Sequence, residues 1–227
     1  MSEAEGQSEL LRSLGHLVRG LAVIFWSLPT ALIACVQTAQ AEYLRLFGFL
    51  PPVLTTGCLV YGVILLGRFR SSERVWMVAL ERARFFAVIN LGLSPFLFWW
   101  SKVPTSTFFA AMTDGLALSG TLFLLMLNVV LRRLTAMLPD ETLRHETLVF
   151  TRLNSMLLLA GLVFLVSSVA GHHLNWPPPG AGRWHLLLER LAQWSLWSFI
   201  LVTTATTMAL IWKIKETIFQ SVFGGAH

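Results

Sequence analysis

Four polar residues recur every seven positions in an otherwise apolar stretch of the chain: Thr107, Asp114, Thr121 and Asn128. Seven residues come close to two turns of an α-helix, so the four share one face with a drift of about 20° per step. A carboxylate on such a face, with the hydroxyls of Thr121 and Ser119 as further oxygen donors, is the chemistry of an intramembrane proton or coupling-ion site. The same residues suit a structural use, in which Asp114 is protonated or interfacial and hydrogen-bonds across helices. Beside the stripe, Ala111, Gly115 and Ser119 form a small-xxx-small ridge that admits a second helix and turns Asp114 toward protein. Asn90 and Asn154 are expected to join Asn128 in a polar cluster nearer the inner side.

Metal ligation is a second candidate chemistry. His172 and His173 are adjacent at the end of an apolar run, and His185 precedes Glu189 by four residues, so His185 and Glu189 share a helical face suited to ligation. Adjacent histidines point in different directions, however, and the stiff loop NWPPPGAG separates them from His185, which favours interfacial anchoring. Haem needs histidines well inside apolar runs; His16 and His145 lie on the cytoplasmic side and His227 is terminal, so no cofactor is expected. Hydroxyls are plentiful in VTTATTMA, but no histidine or lysine stands at a comparable depth to act as a base. Threonines in such a helix ordinarily bond to the preceding turn or to a neighbouring helix. There is no Gly-rich phosphate loop and no Cys-x-x-Cys.

The elements that position these residues follow from composition. Of 227 residues, 55% are hydrophobic and 13% charged, and mean hydropathy is +0.66. A soluble domain carries about 25% charged residues, so the chain lacks the surface for water. The apolar runs are continuous, without the alternation of a lipid-facing strand, which predicts an all-α, polytopic membrane protein. Six transmembrane helices are expected at about 20–38, 46–67, 84–101, 106–131, 153–171 and 191–212. Cys35 and Cys58 lie in apolar runs at different depths and read as small filler rather than a disulfide.

The net charge of +5 is distributed in short patches between spans, which argues for membrane topology and against nucleic acid. With the N-terminus cytoplasmic, thirteen Lys and Arg fall inside and four (Arg45, Lys102, Arg183 and Arg190) outside, so both termini are expected inside. Trp99, Trp100, Trp176 and Trp184 near the outer boundary, with Trp76 and Trp212 near the inner, form an expected aromatic belt.

Internal similarity refines the plan. RGLAVIFWSLP from Arg19 resembles RFFAVINLGLSP from Arg84, and a fainter copy begins at Arg152. Each arginine follows a plausible N-cap, Ser8, Ser72 or Asp140, by 11 or 12 residues. The pattern is that of three helical hairpins, a weak three-fold repeat, each entered by a long helix with an arginine at the membrane boundary. Ala39 and Ala41 offer the spacing of a signal-peptidase site after the first span, but cleavage would break this repeat, and retention is expected. SSERVWMVALERAR and PDETLRHETLVFTR read as helix extensions resting among headgroups.

One transmembrane domain over residues 1–227 is therefore expected, with a compact chain of this type assigned by default to the bacterial inner membrane. Its first functional expectation is a non-enzymatic subunit or scaffold, partnered by the lipid bilayer and by other membrane helices. A small transporter or channel using Asp114 with Thr121 is the main alternative, and a membrane-embedded enzyme the third.

Overall fold

The computed structural model describes residues 3–40, 47–69, 73–137, 141–173 and 183–223. The side chains of 3–11, 141–144, 146, 172–173, 183–194, 196–197 and 220–223 fall outside that description. The helices are α1 (Glu3–Gln40), α2 (Leu50–Gly67), α3 (Arg74–Leu93), α4 (Phe96–Lys102), α5 (Thr107–Ala136), α6 (Glu141–His173) and α7 (Arg183–Phe223). No strand occurs among the described residues. Five segments are long and apolar enough to cross a membrane: Arg12–Gln40, Leu50–Gly67, Arg74–Lys102, Thr107–Ala136 and Thr147–Gly171. They match the first five expected spans in order, and they are the build of an integral, multi-pass membrane protein. The sixth expected span falls on α7, part of whose side chains lie outside the described set.

Proline and glycine set the helix ends. Pro51 and Pro52 occupy the first turn of α2, where the missing N–H has no intrahelical partner to lose, and Gly48 supplies the left-handed φ of 62° in the turn before it. Pro95 interrupts the third span: Ser94 N still reaches Asn90 O at 2.9 Å, and the helix resumes as α4. Pro29 is tolerated inside α1, whose Thr30 hydroxyl donates to Trp26 O at 2.9 Å.

Local expectations were corrected at three places. Ser8 lies inside α1, which spans Glu3–Gln40, and so does not cap it. The N-cap of α3 is Glu73; Ser72 and Asp140 lie outside the described residues. Pro104, whose residue type suits the first turn of the fourth span, sits instead in the turn before α5, whose N-cap is Ser106.

Consecutive long helices pack along one another, α1 on α2, α3 on α5 and α6 on α7, with further contact of α2 on α3, α5 on α6, and α1 on α7. Leu17, Leu21, Ile24 and Leu28 recur every three or four residues on α1 and pack with Leu59, Val63 and Leu66 of α2 in the core. That core extends through α3, α5 and α7, but among the described residues it includes none from α6. Gly20 and Gly62 set the closeness of the α1–α2 contact: a Cβ on Gly20 would stand 3.1 Å from Gly62 O.

Trp76 departs from the expected aromatic belt. It is fully buried, edge-on to Phe69 at 6.5 Å, because the first turn of α3 packs over the C-terminal end of α2. Trp99 and Trp212 are exposed, the latter with the Lys215 ammonium 4.7 Å over its ring; the side chains of Trp176 and Trp184 lie outside the described ones. Arg19, Arg84 and Arg152 are all exposed. Cys35 and Cys58 are free thiols.

Candidate functional site

The small-residue ridge on α5 faces α3. A Cβ on Gly115 would lie 3.7 Å from the Leu93 side chain, and the buried Ser119 hydroxyl donates to Oδ1 of buried Asn90. Ala111, one turn outward, is exposed, so the close contact ends there. Antiparallel packing of α3 on α5 thus brings Asn90 level with Ser119, about 13 Å along the helix from Asn128.

A second polar contact joins α6 to α7. Asn154 Nδ2 donates to Thr207 Oγ1 at 2.9 Å, Thr206 Oγ1 donates to Asn154 Oδ1 at 2.8 Å, and Thr207 Oγ1 in turn donates to Thr203 O at 2.7 Å. The threonines of VTTATTMA therefore bond both to the preceding turn and to the neighbouring helix. A third contact sets the buried Thr56 and Ser94 hydroxyls 3.3 Å apart, between α2 and the C-cap of α3. The single cluster of Asn90, Asn128 and Asn154 does not form, because each of Asn90 and Asn154 is satisfied by a hydroxyl on its own packing partner.

Along the seven-residue stripe, burial increases inward: Thr107 is exposed, Asp114 and Thr121 are half-buried, and Asn128 is 1% exposed. Thr121 Oγ1 donates to Ala117 O at 2.9 Å. Because α5 is one continuous helix, Asp114 and Thr121 stand about 10 Å apart along its axis. Oxygen ligands sit about 2.3–2.6 Å from a bound cation such as calcium, so the two would serve as successive stations rather than as ligands of one ion. Asp114 is about 27 Å from Arg132 by the same measure.

Asn128 differs from the other two asparagines. Among the described residues neither its Nδ2 nor its Oδ1 has a hydrogen-bond partner, and it lines a cavity of about 550 Å³ between α5 and α6. From α5 the cavity receives Asn128, Val129 and Arg132; from α6 it receives one stripe at three- and four-residue spacing, from His145 through Arg152 to Leu159. The sequence carried each of these residues, but Arg132 read as a topology charge and Arg152 as a hairpin-entry arginine at the membrane boundary; their convergence depends on how α6 lies against α5. The histidine and glutamate candidates for metal, His172, His173, His185 and Glu189, have side chains outside the described residues; among the described ones no group of three or more metal-type side chains occurs. Comparison with protein-family models, with curated proteins and with solved structures gives no match for this chain.

Proposed function

We propose that the chain is a six-span bundle of three helical hairpins with both termini cytoplasmic, acting in the bacterial inner membrane as a non-enzymatic subunit or scaffold. The observation that carries the proposal is the exposure of α6. Its most apolar stretch is 17% buried, against 28% to 44% for the corresponding stretches of the other four apolar segments. Leu153, Met156, Ala160, Val163 and Ser167 form an exposed line along it at three- and four-residue spacing. Small residues, Ala160 and Ser167, set among larger apolar ones on an exposed helix are suited to close packing against a further membrane helix. The 13-to-4 bias of Lys and Arg supports the orientation.

The test replaces Cys35 and Cys58 by serine, places single cysteines at Ala160 or Val163, and oxidises intact membranes. A disulfide-linked dimer, or a crosslink to a co-purifying membrane protein, is expected from α6 and not from the buried face. A monodisperse monomer in mild detergent with no crosslink at either position would sink the proposal.

The transporter alternative keeps Asp114 as its residue. With Arg132 at the inner boundary, a distance of about 27 Å sets Asp114 close to the far side of a roughly 30 Å hydrocarbon core, which favours an interfacial structural role. Asp114→Asn abolishing flux in proteoliposomes would restore the alternative.

A further inference from the structure

We propose that the cavity between α5 and α6 binds one anionic phospholipid of the inner leaflet, its phosphate held by Arg132 and Arg152 over the amide of Asn128. The proposal depends on the chain's membrane placement and not on its being a subunit.

The chemistry comes from the lining. Arg132 and Arg152 reach the cavity from opposite walls, with His145 at its cytoplasmic end. None of the lining groups among the described residues is a carboxylate. Two guanidiniums present planar donor forks that match phosphate oxygens, and a phosphate between them leaves neither as an isolated charge at the membrane boundary. Asn128 supplies the second, independent observation. It is 1% exposed, faces the cavity, and has neither polar atom partnered among the described residues. Interior amides left without a partner are rare in folded proteins, and one directed into a cavity beside two arginines has its donor where an anion's oxygen would sit.

The cavity is also shaped for an amphiphile. Its volume of about 550 Å³ lies within the roughly 300–1,000 Å³ of small-molecule sites. On the membrane side of Arg152 the lining passes through Ser155 to Met156 and Leu159, about 10 Å further along α6. Met156 and Leu159 are exposed at 54% and 52%, so the apolar end opens sideways toward lipid and not into the bundle. A free anion would use the arginines and leave this apolar limb without a role. A phospholipid uses both, with its headgroup at the level where the topology charges lie and an acyl chain along α6.

The test uses the full-length chain in neutral detergent, with bound lipid counted by native mass spectrometry after titration with phosphatidylglycerol or phosphatidylcholine of the same chains. One phosphatidylglycerol per chain should survive conditions that strip phosphatidylcholine. Arg132→Gln with Arg152→Gln should weaken its retention about 30-fold, the effect of two arginines near an anionic surface. The exposed pair Arg82→Gln with Arg84→Gln, outside the cavity, should change it less than twofold. Leu159→Trp, which fills the apolar limb and keeps both arginines, should lower lipid retention as well. Equal retention of the two lipids, or equal loss in the two arginine pairs, would overturn the site. Inorganic phosphate binding as tightly as phosphatidylglycerol would overturn the lipid as its occupant.

Discussion

Gly62→Ala tests the close contact of α1 on α2. A Cβ at position 62 would stand 2.6 Å from Ile24 Cγ1, against an ordinary contact of 3.4 Å or more, and 3.3 Å from the Ile24 backbone nitrogen. Ile24 cannot simply swing aside. It is fully buried and β-branched, and Cγ1 is the first atom beyond its Cβ rather than the end of a flexible chain. Either Ile24 leaves its rotamer or α1 and α2 part by several tenths of an ångström, which loosens Leu17, Leu21, Val63 and Leu66 together. Overpacking of this kind costs about 1–3 kcal/mol. Replacing a helical glycine by alanine returns at most about 1 kcal/mol of helix propensity. The net expectation is a loss of about 1–2 kcal/mol.

Gly92→Ala is the internal control, because nothing lies within 4 Å of the Cβ it would add. There only the propensity term acts, and stability should rise by up to about 1 kcal/mol. Thermal unfolding of the purified protein in one detergent, followed by tryptophan fluorescence, compares the two variants directly. Ile24→Ala in the Gly62→Ala background removes the clashing atom, so the double variant should be more stable than the sum of the single losses by about 1 kcal/mol or more. Equal and positive shifts for Gly62→Ala and Gly92→Ala would refute the packing of α1 on α2 described above.

Three further outcomes follow from individual side chains. Asn154→Leu removes both hydrogen bonds to Thr206 and Thr207 and should cost about 1–2 kcal/mol in the same unfolding assay, whereas Thr207→Val, which leaves the Thr206 bond in place, should cost less than Asn154→Leu. Trp76→Ala empties a fully buried site and should cost about 3–5 kcal/mol; Trp76→Phe, which gives up an indole nitrogen with no partner, should cost less than half as much. Asn128→Leu should stabilise the lipid-free protein by about 1–2 kcal/mol, since it replaces an unpartnered buried amide by an apolar group of similar size, and a clear loss in differential scanning would show that the amide is satisfied within the fold.

Five of the spans were legible because their apolar runs are long and bounded by charge, features that depend on local sequence alone. Partner choice was not. Asn90 and Asn154 were recognisable as packing residues, but which hydroxyl each would meet depends on the relative register of two antiparallel helices, 29 and 53 positions apart in the chain for Ser119 and Thr207. Gly20 and Gly62 carry no motif that separates them from Gly92, and their close approach is visible only once α1 lies on α2. Trp76 misled for a related reason. An indole near a charged helix start suits the headgroup layer, and only the position of Phe69 at the end of α2 converts that start into core.

The three asparagines of the spans separate a requirement of folding from one of binding. In an apolar medium an amide gains by finding a partner, and the bundle meets that demand at Asn90 with one hydroxyl and at Asn154 with two. Each of those hydroxyls comes from the helix that the asparagine packs against, so the polar pair and the helix contact are one interaction. Asn128 is buried as deeply, yet among the described residues its amide meets no hydrogen-bond partner; across from it stand Arg152, Ser155 and an open volume. A residue kept only for packing would satisfy that position better as leucine, which fills space and asks for no partner. The unpartnered amide at 128 fits the proposed ligand from outside the chain, and the arginines on both walls favour an anion as that ligand.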